Sequence, residues 1–574
     1  MPRPSTLVPP GALLALACLA SSVLAGWGPD GATIRSTAAE IPIVAACSDG
    51  GSGTFVAWQE TSTSPAGTLR VQHVLASGDP DPSWPADGAL ATTADAARGF
   101  MDVLPDRLGG VYVCWTEGST LLASRLTSTG LVASGWPTTG VAFGSTNTQF
   151  GRPKIIEDGA HGMYVAWTAG SSVLARRLGT DGLGPGGWPN NNVAVSATTP
   201  STIKFWPDVA LGPDGGIFVS WGRWSLDTTV VESGLFLRRL TGAGANSPGW
   251  PGGGMYLAPF RPELLQRMCY APMLAISADD RGGLFWIAGT LEQEQVDVRL
   301  HRILADGTPA AGWPAEGRAV PTFFYYYGGG GPDDGLAVHA DGLDGALIEV
   351  QQSYTDSPPI TGLSRAQDGG QISGQMEGVS KGHHTVVKGD GGAFMANFKA
   401  QGPLNLYDYP AFLAVDQSQA PAGWTRWGEA YYEPVTIWYG DIALVPAGSD
   451  GVVFFWSQEH ERFGLFARRF TTAGEVTGVP PPDGSGPPGL NSLRFVEGTG
   501  VVARVTLAEV PTQFDLFDVA GRRLSTKTFD VFAQGGTVSG EVTFPGTAGL
   551  SSGVYFARMT WGQSTARGKV AVVR

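Results

Sequence analysis

The stretch RLTSTGLVASGWP, residues 125–137, places Arg125 ahead of Gly130 and then Trp136-Pro137. A similar order with His73 in the arginine position precedes it, and weaker copies begin at Arg365 and Arg469. Self-similarity at a period of roughly 50 to 60 residues predicts an array of repeated units, such as a solenoid or a propeller. Full copies recur at Arg177, Gly182, Trp188-Pro189; at Arg239, Gly244, Trp250-Pro251; and at Arg302, Gly307, Trp313-Pro314.

Each unit divides into four short runs rich in Val, Ile, Leu and aromatic residues, separated by turn residues. In the third copy they are 154–156, 163–167, 173–178 and 193–196. No sustained 3.6-residue period competes with this pattern, which is typical of antiparallel strands and of propeller blades. The run after the Asp-Gly or Gly-Gly turn occurs eight times, at 54–58, 111–115, 163–167, 217–221, 284–288, 346–350, 393–397 and 452–456.

The two ends of the array complement each other. The eighth copy stops after Gly474, whereas Trp27 and Gly31 repeat the spacing of Trp136 and Gly140 ahead of an apolar run at 32–36. A first strand that completes the last blade removes an open sheet edge, which would invite aggregation. We therefore predict an all-β fold, a closed β-propeller of eight four-stranded blades over residues 26–477, with seven blades as the alternative.

Charge and composition restrict the class of partner. The chain of 574 residues has 51 acidic and 37 basic side chains, a net charge of −14, with no Lys/Arg cluster. Such a surface repels phosphate backbones, so nucleic acid is not an expected partner. We expect a monomer with no cofactor.

The N-terminus has the pattern of a secretory signal. Arg3 precedes an apolar stretch, and Val23-Leu24-Ala25 resembles a signal-peptidase site, which predicts a signal peptide over residues 1–25. A lipoprotein modified on Cys18 is the alternative. No other stretch approaches the roughly 20 apolar residues of a membrane span.

Three cysteines follow the predicted cleavage site: Cys47, Cys114 and Cys269. An odd number does not form a complete disulfide framework, and the spacing matches no metal motif. Buried small hydrophobic residues are the favoured interpretation, and a bridge between Cys47 and Cys114 is the alternative.

The composition and the pattern of the sequence change at residue 478. Residues 478–490 are a Pro/Gly linker, and residues 491–574 form a C-terminal domain with alternating runs at 501–507, 512–519, 540–544, 553–559 and 566–573. This size and pattern predict a small β-sandwich.

Three motifs in this region carry a family resemblance: FDLFDVAGRRL at 514–524, GLSSGVYFAR at 549–558 and KVAVVR at 569–574. Together they resemble the C-terminal sorting domain of type IX secretion substrates and the related Ig-like domain of the flagellar hook-capping family. The Asn-Pro opening common in the sorting family is absent. The resemblance implies export through an outer-membrane machinery to the surface or surroundings of a Gram-negative-type bacterium. Its motif residues are Asp518, Gly521, Gly553, Tyr555 and Lys569.

The repeat region resembles the broad group of bacterial secreted propellers that includes sialidase-like folds, through the turn SDGGSGTF at 48–55. The recurrent arginine is not a sialidase arginine cluster, because one copy per blade spreads around the ring. We interpret these arginines as structural, pairing with turn carbonyls or a neighbouring blade. In the Trp-Pro pairs, we expect the Trp to cover a blade edge and the Pro to start a strand.

The connections on one face vary in length and are rich in aromatic residues, which is typical of recognition surfaces. An alternative is that such aromatics cover blade ends or plug the channel, which we favour for Trp206. Metal binding is not expected, because His383-His384 point to opposite faces and Asp341 to Gly345 lacks the later Glu of a calcium loop. The candidate ligand-binding residues are Tyr325, Tyr326, Tyr327, Asp333, Asp334, Tyr431, Tyr432, Glu433 and Trp438.

These observations predict a secreted or cell-surface propeller that binds glycan or an extracellular protein. A propeller-type polysaccharide hydrolase or lyase, using carboxylates near the channel mouth, is the alternative. A structural component of the cell envelope is the third possibility.

Overall fold

The fold of this chain is all-β and resembles a β-propeller. A computed structural model describes residues 32–572, with its longest gaps at 260–273, 321–335, 353–359, 378–384, 401–407, 416–428, 431–441, 472–488 and 530–537 and shorter breaks between other strands. The described residues contain no α-helix. Accordingly, none of them belongs to a helix long and apolar enough to cross a membrane.

The first half of the repeat region consists of seventeen strands. They are β1 (Ala32–Ser36), β2 (Val44–Ser48), β3 (Thr54–Thr61), β4 (Gly67–Val74), β5 (Ala89–Leu90), β6 (Arg98–Pro105), β7 (Val111–Glu117), β8 (Thr120–Leu126), β9 (Val141–Ser145), β10 (Lys154–Glu157), β11 (Met163–Ala169), β12 (Ser172–Leu178), β13 (Val193–Ala194), β14 (Thr202–Leu211), β15 (Ile217–Ser225), β16 (Gly234–Leu240) and β17 (Met255–Pro259).

Fifteen further strands follow in the second half of the repeat region. They are β18 (Leu274–Ala278), β19 (Leu284–Glu292), β20 (Gln295–Ile303), β21 (Arg318–Ala319), β22 (Leu336–Ala340), β23 (Ala346–Gln352), β24 (Ile360–Ala366), β25 (Ser373–Glu377), β26 (Thr385–Val387), β27 (Ala393–Ala400), β28 (Asp408–Val415), β29 (Glu429–Ala430), β30 (Ile442–Pro446), β31 (Gly451–Gln458) and β32 (Gly464–Thr471).

In the described part of this region, the strands form eight four-stranded antiparallel sheets. Seven are simple meanders, running from β2–β5 to β26–β29. The eighth has the order β1-β32-β31-β30, so the N-terminal strand is its fourth member. The predicted pairing of the first strand with the last repeat is therefore confirmed. All eight predicted apolar runs are second strands of sheets.

Neighbouring sheets share their cores. Trp58, Trp115, Trp167 and Trp221 come from four successive second strands and are almost fully buried. The first and last sheets also share a core cluster, in which Ala32 and Ile34 of β1 meet side chains of β2, β3 and β30–β32. Packing of sheet faces against one another is the main source of stability in such an array.

An aspartate in the first turn of a sheet and an arginine in its third strand form a recurrent ion pair. Arg177 lies 2.9 Å from Asp158, and both side chains are nearly buried. The same carboxylate accepts hydrogen bonds from the backbone N–H groups of Ala160 and Gly162, so it holds the turn as well as the strand. The equivalent pairs are Arg125 with Asp106 and Arg302 with Asp279. Arg239 pairs with Asp214, which lies nearer to the second strand and has a side chain that is 46% exposed.

The same side chains connect one sheet to the next. Arg177 Nη1 donates to the Gly242 carbonyl at 3.0 Å, and the Tyr164 hydroxyl donates to the Gly215 carbonyl at 2.6 Å. Both carbonyls belong to turns of the β14–β17 sheet. Arg125 and Arg239 make the corresponding bonds to Thr180 and Ala305. The interpretation of the recurrent arginines as structural is confirmed at these positions.

The tryptophans of the Trp-Pro pairs pack at these junctions between neighbouring sheets. Trp136 is buried against Tyr112 and its indole N–H donates to the Thr180 carbonyl at 3.0 Å. Gly140 has φ +85°, and a Cβ there would lie 2.7 Å from the Trp115 ring, so glycine is required. The expectation that the proline starts a strand was wrong. Pro137 lies in a turn, where its carbonyl accepts a hydrogen bond from Gly140 N–H, and β9 begins only at residue 141.

The C-terminal region forms two sheets from seven strands. The three-stranded sheet has the order β33-β34-β37 and the four-stranded sheet the order β36-β35-β38-β39, with β33 packed against β39. Five strands match the predicted runs, and β33 and β36 are additional. The strands are β33 (Gly489–Val496), β34 (Gly500–Leu507), β35 (Thr512–Phe517), β36 (Arg523–Phe529), β37 (Val538–Thr543), β38 (Gly553–Trp561) and β39 (Ser564–Val572).

The motif residues of the C-terminal region lie at turns and strands. Asp518 accepts a hydrogen bond from Arg522 N–H at 2.9 Å in the turn between β35 and β36. Tyr555 is buried, and its hydroxyl donates to the Ser551 carbonyl at 2.9 Å. Gly553 begins β38 and Lys569 lies in β39, whereas Gly521 falls outside the described residues.

We expect Arg177→Gln to lower the free energy of unfolding by about 3 kcal/mol, because it leaves the buried Asp158 carboxylate without its cation. Arg107→Gln is the matched control. It breaks a pair with Glu157 in which the arginine side chain is 44% exposed, and such pairs contribute less than about 1 kcal/mol. Urea unfolding of both variants measures the difference. Equal effects would contradict the role assigned to the buried pair.

His73 replaces the arginine in the β2–β5 sheet, and it makes this junction sensitive to pH. Its ring nitrogens lie 3.2 Å from Asp49 and 2.8 Å from Asp81. Burial lowers the pKa of His73, but the hydrogen bonds to the two carboxylates outweigh it, so the pKa is above its ordinary value. Its contribution to stability is complete below about pH 6.5 and is lost as pH rises through the folded-state pKa.

We expect the thermal midpoint of the wild-type protein to fall between pH 6 and pH 8.5 more steeply than that of His73→Arg, whose cation persists at both values. Thermal unfolding at the two pH values tests this. Parallel curves for the two proteins would show that His73 does not carry the pH dependence.

Candidate functional site

The first strands of successive sheets surround a cavity of about 630 Å³. Residues of β2, β6, β10, β14, β18, β22 and β30 line it. This volume lies within the range of roughly 300 to 1,000 Å³ that is typical of sites for small ligands. We refer to this space as the cavity.

Three charged side chains of consecutive first strands lie in the wall of the cavity: Asp102 of β6, Lys154 of β10 and Asp208 of β14. Arg152, just before β10, and His339 of β22 also line it. Lys154 is exposed, and both carboxylates are half-buried. Burial raises the pKa of Asp102 to about 6, although the charges of Lys154 and Arg152 oppose the increase. Burial also raises the pKa of Asp208. Both carboxylates are thus held in surroundings that hydrate them less than bulk water does.

Backbone hydrogen bonds fix Asp208 in place. Its Oδ2 accepts from Ile276 N–H at 2.9 Å, across the junction between β14 and β18, and its Oδ1 accepts from Val209 N–H. Ser277 repeats this arrangement one sheet further on, since its Oγ accepts from Ala340 N–H at 3.2 Å. Polar side chains therefore satisfy backbone groups on neighbouring first strands, which do not pair with each other in a ladder.

An irregularity in β14 precedes Asp208. The register with β15 shifts between Phe205 and Asp208, and Trp206 adopts a left-handed φ of +49°. Gly151 permits the bulge, because a Cβ there would lie 2.9 Å from the Trp206 nitrogen. Such strain is most often stored next to functional groups.

Trp206 is only 2% exposed and packs edge-on against Phe205 with ring centroids 4.7 Å apart. The expectation that this aromatic folds back into the structure is confirmed. The nine predicted ligand-binding residues, Tyr325, Tyr326, Tyr327, Asp333, Asp334, Tyr431, Tyr432, Glu433 and Trp438, lie outside the described residues. Their role remains a prediction.

Of the cysteines that the structure describes, neither contributes a reactive group to this site. Cys47 and Cys114 are free thiols rather than a disulfide. Burial raises the pKa of both thiols well above the ordinary value, which disfavours the thiolate. The interpretation of these two residues as small hydrophobic side chains is supported. Cys269 lies outside the described residues.

Metal ligands do not cluster in the part of the chain that the structure describes, where no group of three or more His, Cys, Asp or Glu could hold an ion. His383-His384 and the Asp341–Asp344 segment fall outside it.

Sequence reasoning missed Asp102, Lys154 and Asp208. A signal was available, because charged residues stand in first strands whose other copies are almost entirely apolar. Alignment of the repeats on the first residue of the second-strand run would have placed the three at one position.

Structural comparison found propellers and glycan-active proteins at low similarity. A structure titled Dos1 propeller is 10% identical, with a TM-score of 0.40 over 78% of this chain and 95% of that one. A polysaccharide lyase, an ulvan lyase, is 11% identical with a TM-score of 0.36 over 79% and 96%. The endo-arabinase from Bacteroides thetaiotaomicron is 12% identical with a TM-score of 0.26 over 55% and 93%.

No protein-family model matches the chain, and no curated protein is significantly similar to it. Since all three TM-scores are below 0.5, the fold assignment depends on the strand pairing of this chain itself.

We expect Asp102→Asn to stabilise the protein by about 1 kcal/mol at pH 8 and to have little effect at pH 4. The raised pKa means that the ionised carboxylate is disfavoured in the folded state, so its contribution to stability falls as pH rises from about 4 to about 6. Thermal unfolding at both pH values measures this, with Glu316→Gln, an exposed carboxylate, as the control. An equal change at pH 4 and pH 8 would contradict the assignment.

Proposed function

We propose that this chain is a secreted or cell-surface binding protein whose eight sheets close into a ring. Two observations support closure. β1 pairs with β32, and the Gly448 N–H of the last sheet donates to the Gly51 carbonyl of the first at 2.9 Å. A closed ring leaves a small-ligand cavity between the first strands and variable connections at its face.

The ligand in this proposal is a glycan or an extracellular protein. This proposal rests on the difference between the charged side chains of the turns, which pair with one another, and those of the cavity wall, which face open space. The side chains of the recurrent Asp–Arg pairs bind each other and stabilise turns and sheet junctions. Asp102, Lys154 and Asp208 instead line open space. Charged groups in a partly enclosed cavity offer directed hydrogen bonds to a ligand.

A polysaccharide hydrolase or lyase is the second candidate. It is favoured by the raised pKa values of Asp102 and Asp208 in one cavity, because a carboxyl group with a raised pKa is suited to general acid catalysis.

We further propose that residues 491–574 form an Ig-like sorting domain that directs export through a type IX-like pathway. Support comes from the order of the three sequence motifs and from the two packed sheets. Removal of these residues should leave the protein inside the cell envelope.

A binding and turnover assay separates the two candidate functions. The purified full-length chain is applied to a panel of neutral and acidic polysaccharides, and retained ligand and released product are scored separately. We expect retention without product. Product that the wild type releases and Asp102→Asn does not would favour the hydrolase or lyase. The absence of both retained ligand and released product would contradict a glycan ligand.

A further inference from the structure

The three charged residues of the cavity occupy one position of the repeat. In the fourth backbone pair counted back from the first turn, the first-strand residue is Asp102, Lys154 or Asp208 in three consecutive sheets. They therefore form an arc at a single level of the cavity wall. Four other sheets have alanine in this pair, at Ala45, Ala275, Ala337 and Ala443. In the β26–β29 sheet, the first-strand residue of this pair lies outside the described residues.

The arc alternates in sign across neighbouring strands. Lys154 acts electrostatically on both carboxylates, since its charge opposes the burial-induced rise in the pKa of each. One ammonium donor is thus flanked by two carboxylate acceptors. The four alanines make the parts of this level that they occupy open and apolar.

This arrangement discriminates between ligand charges. An anion on Lys154 meets repulsion from Asp102 and Asp208. A cation on either carboxylate meets repulsion from Lys154, and at Asp102 also from Arg152. A neutral group with adjacent hydroxyls forms hydrogen bonds with all three side chains, because hydroxyls donate to carboxylates and accept from the ammonium. The net charge of −14 adds long-range repulsion of acidic polymers.

We propose that the Asp102–Lys154–Asp208 arc binds a neutral sugar unit of a glycan, with the alanine-lined wall accommodating its apolar ring face. This inference rests on the proposed glycan-binding function and assigns its site and ligand class. The hydrogen bond from Ile276 N–H to Asp208 holds one carboxylate in place before binding, which reduces the entropy lost on association.

The test compares binding of neutral polysaccharides (arabinan, galactomannan and laminarin) with binding of alginate and polygalacturonate by the full-length chain. Affinity electrophoresis and calorimetry measure wild type, Lys154→Gln, Asp208→Asn and the exposed control Glu316→Gln. We expect at least one neutral polymer to bind, with a loss of about tenfold or more for the two arc variants, the effect of removing a charged hydrogen-bond partner. Glu316→Gln should bind as wild type.

Ala337→Phe provides an independent readout, because it narrows the cavity at the same level without changing the arc. It should also weaken binding, and thermal unfolding verifies that each variant is folded. Neutral-glycan binding unaffected by the arc variants and by Ala337→Phe would overturn the cavity site while leaving the glycan-binding function intact. Stronger binding of alginate or polygalacturonate would overturn the neutral class. No binding to any polymer would refute both the site and the glycan-binding function.

Discussion

The buried ion pair between a turn aspartate and a third-strand arginine is the interaction on which the rest of this structure depends. Asp158 holds its own turn through two backbone N–H groups and holds Arg177 across the sheet. Arg177 in turn donates to Gly242 in the next sheet. One pair thereby fixes a turn, a strand and a sheet junction, and similar pairs recur in neighbouring sheets.

Because these ion pairs stabilise the turns and the sheet junctions, the residues of the cavity wall can differ from one sheet to the next. The ion pairs and the core contacts lie at the turns and on the faces between sheets, so the first-strand positions that face open space vary more freely. Asp208 has an additional structural role there, because it accepts a hydrogen bond from Ile276 N–H. Asp102, Lys154 and Asp208 can be charged there because water in the cavity limits the cost of desolvation. In the core between sheets, where Trp115 and Trp167 are buried, a charge would need a partner.

Sequence periodicity predicted the sheets well because each repeat encodes its own turns. The Asp-Gly turn and the Trp-Pro segment mark the strand ends locally. Seven of the eight second strands begin at the predicted residue, and β31 begins one residue earlier. The candidate site was less predictable. The segments around Tyr325 and Tyr431 were predicted as binding sites from their aromatic composition. Asp102 and Asp208 are ordinary acidic residues about 100 positions apart, and only the register of the sheets brings them to one level.

The sequence by itself determined the all-β class, the repeat unit, the phase of its strands and the role of the N-terminal strand, because these depend on local turn chemistry and on spacing that is preserved along the chain. Only the tertiary structure decided that the recurrent arginines bond to the next sheet and that Asp102, Lys154 and Asp208 share one cavity. Such contacts join residues about 50 to 70 positions apart, and backbone pairing and sheet packing set their distances.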